Sequence, residues 1–422
     1  MVGSNAVAPQ EQSDENSALQ PVREFKQLYS KPIMLLRLPG TILSRKWYSA
    51  TWGTLRLSDD AINKLPPEVR EGTVEARRLI GRKKLAFPAA VSIKGTKLSY
   101  KWTPRPSDVI IATAPKTGTT WLQHMVHVIR AQQDTSYDDV GDVIPWIEYA
   151  WECGQDLNAD QPGGVRAFKS HGLLSRIHEG CKYIITVRQP AEGHTNRAHA
   201  PRCAQLRTVA ILRSQVREPV KMLKSFFTFV SSKDAAAPLI PPFWIKDVNA
   251  FYKCPMYQEG MGGFAGFMGT PMDYYVEYYK CRNLPNVCFI VFEHMLADTK
   301  STIQRVADFI GVELTPTALE KVVELTSAAW MSAPENAAKF DDHMIYSKQV
   351  ELGRVGFAYN PPVAKVLLKP RSAMVVNDHT TKSMDKTWAK KVAKTIGFKT
   401  YEELAASWAN ELAAKGNKKM EA

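Results

Sequence analysis

Cysteine is scarce in this sequence, six in 422 residues, and none of the six (Cys153, Cys181, Cys203, Cys254, Cys281, Cys288) stands in a C-x-x-C pair or at zinc-finger spacing. That excludes a disulfide scaffold and a structural zinc site, and it fits free thiols in a reducing compartment. Long apolar runs are lacking as well: nothing approaches the roughly 18–20 consecutive apolar residues that a membrane helix needs. The N-terminal residues are polar and acidic, with no basic segment leading into an apolar run, and do not read as a signal peptide. A cytoplasmic protein with no membrane partner is the expectation. Lys/Arg runs interleaved with stacking aromatics are missing, so a nucleic-acid groove is not expected either. No internal repeat is found.

What is present is ordinary globular material, 45% hydrophobic and 23% charged, with a formal net charge of +13. The charge is unevenly placed. From Lys365 onward there are 12 Lys/Arg against 6 Asp/Glu, and residues 189–217 hold five arginines against Glu192 alone. A small polyanionic ligand or a solvated basic tail accounts for that balance.

Residues 1–30, rich in Gln, Ser, Glu and Asn, read as a disordered tail, and 31–105 as an ordered lead-in packed on the core. A main domain over 106–415 follows, then a basic tail at 416–422. Residues 109–114 form an apolar, β-branched run typical of a buried parallel strand. A turn-rich segment follows, then a helix whose Leu122, Met125, Val126 and Ile129 share one face. Residues 183–187 and 287–292 are further buried strands, and 300–310 an amphipathic helix. Thr400 and Glu403 have capping-box spacing ahead of a last helix. The fold class expected is α/β: a three-layer, doubly wound parallel sheet with a P-loop-like phosphate-binding strand-loop-helix, in a single main domain.

The string Val187-Arg188-Gln189-Pro190 nearly recurs as Val216-Arg217-Glu218-Pro219. Excising the 29 residues 189–217 would carry a strand directly into a helix. They read as an insertion foreign to the fold, such as a translated intron, or as a native surface loop with a chance near-repeat.

The chemistry concentrates in Pro115-Lys116-Thr117-Gly118-Thr119-Thr120-Trp121. Gly118 lets the backbone turn so that N–H groups converge on an anion at the helix N-terminus, Lys116 adds charge, and Thr119 and Thr120 add hydroxyls. No Gly-Lys-Ser/Thr follows a leading glycine at Walker A spacing, and no acidic metal ligand is evident, which argues against a P-loop kinase. His124 and His127 lie on the following helix without a third ligand, so no metal is expected.

That loop, after an apolar strand, resembles the 5′-phosphosulfate loop of the cytosolic sulfotransferase family, usually Pro-Lys-Ser-Gly-Thr-Thr-Trp. The resemblance implies 3′-phosphoadenosine 5′-phosphosulfate as donor co-substrate, Lys116 on its bridging oxygen and Trp121 on its adenine. Lys169-Ser170-His171 resembles the family's Lys-Thr-His, which makes His171 the general base and Lys169 an aid to the sulfuryl oxygens. Gly172 departs from the usual apolar residue after the histidine. The family's 3′-phosphate pair, an arginine with a serine eight residues later, is matched by Arg217 and Ser225, with Arg188 an alternative for the arginine. Phe292 stands where the family has a tyrosine, so that tyrosine's adenine-edge hydrogen bond is lost. The late Arg-Lys-Gly clamp is not found as such; Lys365, Lys369 and Arg371 are the nearest basic cluster. Pro145-Trp146-Ile147-Glu148 resembles the segment bordering the acceptor pocket, which Trp146 and Tyr149 would line.

The function implied is sulfuryl transfer to the hydroxyl or amine of a small-molecule acceptor. An inactive cofactor-binding relative or a P-loop kinase is the alternative, and a homodimer is left open.

Overall fold

The computed structural model describes residues 57–80, 98–187, 218–231, 242–258, 268–353, 374–408 and 411. The expected tails at 1–30 and 416–422, the segment 189–217, and with them Arg188, Arg217 and Arg371, lie outside the described residues.

Val109, Ile110 and Ile111 have no exposed surface, and with Ala112 they form β1 (Val109–Ala112) at the centre of the sheet. On one side it pairs in parallel with β2 (Ala167–Ser170), on the other with β3 (Lys182–Val187), which pairs with β4 (Val287–Val291). The order is β2-β1-β3-β4. A buried ion pair pins the start of β1 to the start of β2: Arg166 donates to Asp108 through Nε at 2.9 Å and Nη2 at 2.6 Å.

The helices that matter for the site are, in chain order, α1 (Pro67–Ile80), α2 (Thr119–Arg130), α3 (Glu218–Val230), α4 (Pro271–Cys281), α5 (Phe292–Ala297), α6 (Thr299–Ile310), α7 (Pro316–Leu325), α8 (His343–Glu351) and α9 (Asp378–Trp388). Alternate residues of each strand face opposite ways. Ile110, Phe168, Ile185 and Val187 pack against α3, α4 and the C-terminal Trp388, Tyr401 and Trp408. Val109, Ile111, Ile184 and Ile290 pack against α2, α6 and α7. The result is three layers, helices on both faces of a parallel sheet, as the alternation of strands and helices implies.

The strand order also locates the site. From β1 the chain passes through α2 to β2 on one side, whereas β3 lies on the other side and leads through α3 and α4 to β4. Crossovers in parallel sheets are right-handed, so connections that move in opposite directions place their helices on opposite faces. The carboxyl ends of β1 and β3 therefore flank the crevice at which doubly wound sheets bind ligands.

The strand expectations at 109–114, 183–187 and 287–292 correspond to β1, β3 and β4, each ending earlier at its C-terminus except β3. Phe292 belongs to α5 rather than to the strand. Asp298 caps α6 by accepting from Ser301 N–H, and Gly311 ends it at φ 81°. Near the end, Thr400 Oγ1 accepts from Glu403 N–H at 3.2 Å, while Glu403 reaches back to Lys399 N–H at 2.7 Å instead of to Thr400. Among the described residues no helix is long and apolar enough to cross a membrane.

Candidate active site

The loop between β1 and α2 is built on two left-handed residues, Lys116 at φ 68° and Gly118 at φ 103°. Gly118 is required twice over. Its φ disfavours a side chain, and a Cβ there would come within 2.7 Å of the Phe292 ring. Lys116 has no such licence, and a non-glycine held at positive φ marks a place where the surroundings impose the geometry. Gly118 is also the N-cap of α2 and brings no side-chain hydrogen bond to the helix. The first N–H groups of α2 and the positive end of its dipole suit an anion.

The threonines fix the loop rather than project from it. Thr117 Oγ1 donates to Ala114 O at 2.7 Å and lies 3.0 Å from Thr186 Oγ1, bridging the ends of β1 and β3. Thr119 Oγ1 lies 2.6 Å from Thr113 Oγ1. The expected hydroxyl of Thr119 is therefore engaged with Thr113, just past β1.

Thr113 does a second job. Its carbonyl oxygen accepts from Nδ1 of His171 at 2.8 Å. A carbonyl can only accept, so Nδ1 carries the proton and the neutral ring keeps its lone pair on Nε2. One residue thus ties the imidazole to the loop between β1 and α2. His171 is fixed further by Tyr274 of α4, whose hydroxyl donates to the His171 carbonyl at 2.6 Å, and by Trp146, whose ring lies edge-on at 5.1 Å.

The neighbours of His171 are equally anchored. Ser170 Oγ donates to Glu148 Oε1 at 2.6 Å and accepts from Gly172 N–H at 2.9 Å; Tyr100 donates to the same Glu148 oxygen at 2.8 Å. Burial pushes the Glu148 carboxyl upward from its usual range. Lys169 turns the other way. Its ammonium lies 3.3 Å from Asp342 Oδ1 and 3.8 Å from the centre of the Trp146 ring, and both charged side chains are buried.

Of the remaining candidates, Lys116 Nζ sits 4.7 Å over the ring of Phe229 on α3. Ser225 is four residues before Phe229, so it lies on the same side of α3, the side that meets the loop. Trp121 contacts Phe292 edge-on at 5.8 Å. Trp146 and Tyr149 pack together at 4.6 Å, with Phe229, Met344 and Ile345 in the same cluster. Thr120 opens α2 beside Thr119. His124 is a core residue: Nε2 donates to Leu325 O at 2.9 Å and Nδ1 accepts from Tyr137 Oη at 2.6 Å, leaving neither nitrogen for a ligand. Thr113, Thr186, Phe229, Tyr274 and Asp342 were not singled out by sequence, since each acts through a partner distant in the chain.

A sequence model of the sulfotransferase domain matches residues 106–351. The chain belongs to the sulfotransferase family. Sulfotransferase 1C2 of Oryctolagus cuniculus is 23% identical over 241 residues, covering 53% of this chain and 65% of its own. Cytosolic sulfotransferase 17 of Arabidopsis thaliana is 24% identical over 243 residues, covering 53% of this chain and 58% of its own. The chain spans less than two thirds of the length of either relative. A solved structure of mouse sulfotransferase SULT7A1 complexed with PAP aligns with 77% of this chain and 97% of its own, at 18% identity and a TM-score of 0.49.

Proposed function

We propose that this protein transfers a sulfuryl group from 3′-phosphoadenosine 5′-phosphosulfate to a hydroxyl or amine of a small acceptor. The observation that carries the reading is Thr113: its hydroxyl meets the first residue of α2 and its carbonyl holds His171, so an anion site and a base with its lone pair on Nε2 share one anchor.

In this reading His171 Nε2 takes the acceptor proton as the acceptor atom bonds to sulfur. The bond from sulfur to the bridging oxygen breaks, and its electron pair leaves with 3′-phosphoadenosine 5′-phosphate. Lys116 and the N–H groups of Thr117, Gly118, Thr119 and Thr120 neutralise the charge gathering on that phosphate. Ser225, Trp121, Phe292 and one of Arg217 or Arg188 complete the donor site, with Arg371 a further contact to the 3′-phosphate, while Lys169, expected at the sulfuryl oxygens, stands beside Asp342 and the Trp146 ring. Trp146 and Tyr149 border the acceptor. The protein positions groups and supplies charge, as in phosphoryl transfer, and needs no covalent intermediate.

The test is calorimetric binding of 3′-phosphoadenosine 5′-phosphate, followed by transfer from radiolabelled donor to a panel of phenols, sterols, aliphatic alcohols and amines. Labelled product with any panel member supports the assignment. Binding without transfer would reduce the protein to a cofactor-binding relative, and turnover of ATP in place of the donor would overturn the class.

A further inference from the structure

Four side chains from three separate stretches of the chain stand in a row. Asp342 Oδ1 is 3.3 Å from Lys169 Nζ, a pair separated by 173 positions in the chain. Lys169 Nζ lies 3.8 Å from the centre of the Trp146 ring. The Trp146 ring meets the His171 ring at 5.1 Å with the planes at 86°. The backbone supports the row, since Lys169 N–H donates to Pro145 O at 2.8 Å.

We propose that Asp342 is a positioning residue for the transfer: its carboxylate anchors the Lys169 ammonium against the face of Trp146, and the indole so held sets the plane and the electrostatic surroundings of His171. This rests on the sulfotransferase reading for its function, but not for its geometry. Asp342 sits at φ 56°, a left-handed backbone that an aspartate adopts at some cost, immediately before α8. Its carboxylate has a buried companion in Asp139, which accepts from Gly141 N–H at 2.7 Å and lies 3.1 Å from His343 Nδ1. Burial and the Asp342 charge together push the Asp139 carboxyl up to about 6. The titratable groups around the row are thus Lys169, Asp342, Asp139 and His343 on one side, Tyr149 against the Trp146 ring with the buried Glu152 beside it, and Glu148, beneath Ser170, on the other.

A buried ammonium beside an imidazole opposes protonation of that imidazole, and an adjoining carboxylate cancels the effect. Removing the carboxylate therefore makes His171 a weaker base, and removing the lysine makes it a stronger one. The experiment follows the His171 imidazole by NMR in the full chain labelled with nitrogen-15 histidine, across pH, in the parent, Asp342→Asn, Lys169→Met and the double variant. Loss of the signal in His171→Asn assigns it. Asp342→Asn is expected to move the His171 midpoint down by roughly half a pH unit, Lys169→Met up by roughly as much, and the double variant to return it. The double variant removes both charges and leaves neither orphaned, so it serves where Asp342→Asn alone fails to fold.

In a transfer assay, Asp342→Asn is expected to lower kcat about tenfold or more, while its affinity for 3′-phosphoadenosine 5′-phosphate stays within about twofold of the parent. An unmoved His171 midpoint, or midpoints that move in the same direction in both single variants, overturns the proposal. Failure of the parent to bind 3′-phosphoadenosine 5′-phosphate overturns the sulfotransferase reading instead, and leaves the row to be judged on the midpoints.

Discussion

Nδ1 of His171 and the carbonyl oxygen of Thr113 are 2.8 Å apart, and that contact decides which imidazole nitrogen carries the proton. An asparagine at 171 can still donate to that carbonyl, because its amide nitrogen occupies a place close to Nδ1, but it offers no base. His171→Asn is therefore expected to lower turnover by roughly 10²–10⁴-fold. Affinity for 3′-phosphoadenosine 5′-phosphate should stay within a few fold, since the donor loop is untouched. Single-turnover transfer and calorimetry separate the two effects, and full turnover in this variant would remove His171 from the mechanism.

Gly118→Ala faces two obstacles, the positive φ of 103° and the Phe292 ring at 2.7 Å from the new methyl. The backbone term alone costs about 1–2 kcal/mol. The loop is expected to shift, with at least tenfold weaker binding of 3′-phosphoadenosine 5′-phosphate. Adding Phe292→Ala removes the clash but not the backbone strain, so it should restore only part of the affinity. Complete restoration would mean that the φ of Gly118 is unimportant.

The starts of β1 and β2 hang on a buried ion pair between Asp108 and Arg166, 0% and 3% exposed. Breaking such a pair from one side leaves a charge without compensation and costs about 3–5 kcal/mol. Asp108→Asn should lower the urea midpoint accordingly. Asp108→Leu with Arg166→Met, which removes both charges, should be milder than either single change.

Acid should unfold the protein early, and the sign follows from three buried histidines. Burial lowers His124 from 6.5 to about 4, His127 to about 3 and His178 to about 4. The unfolded chain takes up these protons below pH 6.5 and the fold resists them, so stability is lost as pH falls through that window. Each shift is on the order of 3 kcal/mol when fully expressed. Asp139 acts oppositely: raised from 3.8 to about 6, it costs stability above pH 6 and ceases to do so below about pH 4. Urea midpoints between pH 7 and 4 should fall less steeply in His127→Leu and more steeply in Asp139→Asn. Parallel slopes in all three proteins would show that other groups govern the acid limb.

The strand-turn-helix unit of β1 and α2 was readable because its parts are local: strand, turn glycine, lysine and helix follow one another within residues 109–130. β2 was not recognised as a strand, since Ala-Phe-Lys-Ser has neither an apolar run nor clean alternation. Lys169 and Ser170 are nonetheless buried, and what makes that tolerable is Asp342 and Glu148, which no local pattern reveals. The same reason hid Tyr274, which reaches the His171 carbonyl from 103 positions away. Trp146 and Tyr149 were legible as a pair of neighbouring aromatics, but not that the Trp146 ring stands between the Lys169 ammonium and the His171 imidazole. Helix α1 was not singled out because few of its residues are apolar; Arg77 on it reaches Glu179 at 3.0 Å.

The row that ends at Asp342 also has an order in time. During synthesis β1 to β4 and the turn between β1 and α2 leave the ribosome before residue 342 does. A chain interrupted after β4 carries the residues of β1 to β4 and of that turn, yet lacks the carboxylate beside Lys169. The turn between β1 and α2 is thus synthesised first and the acidic partner of Lys169 last, so the polypeptide beyond the sheet supplies a contact that the strands cannot make among themselves.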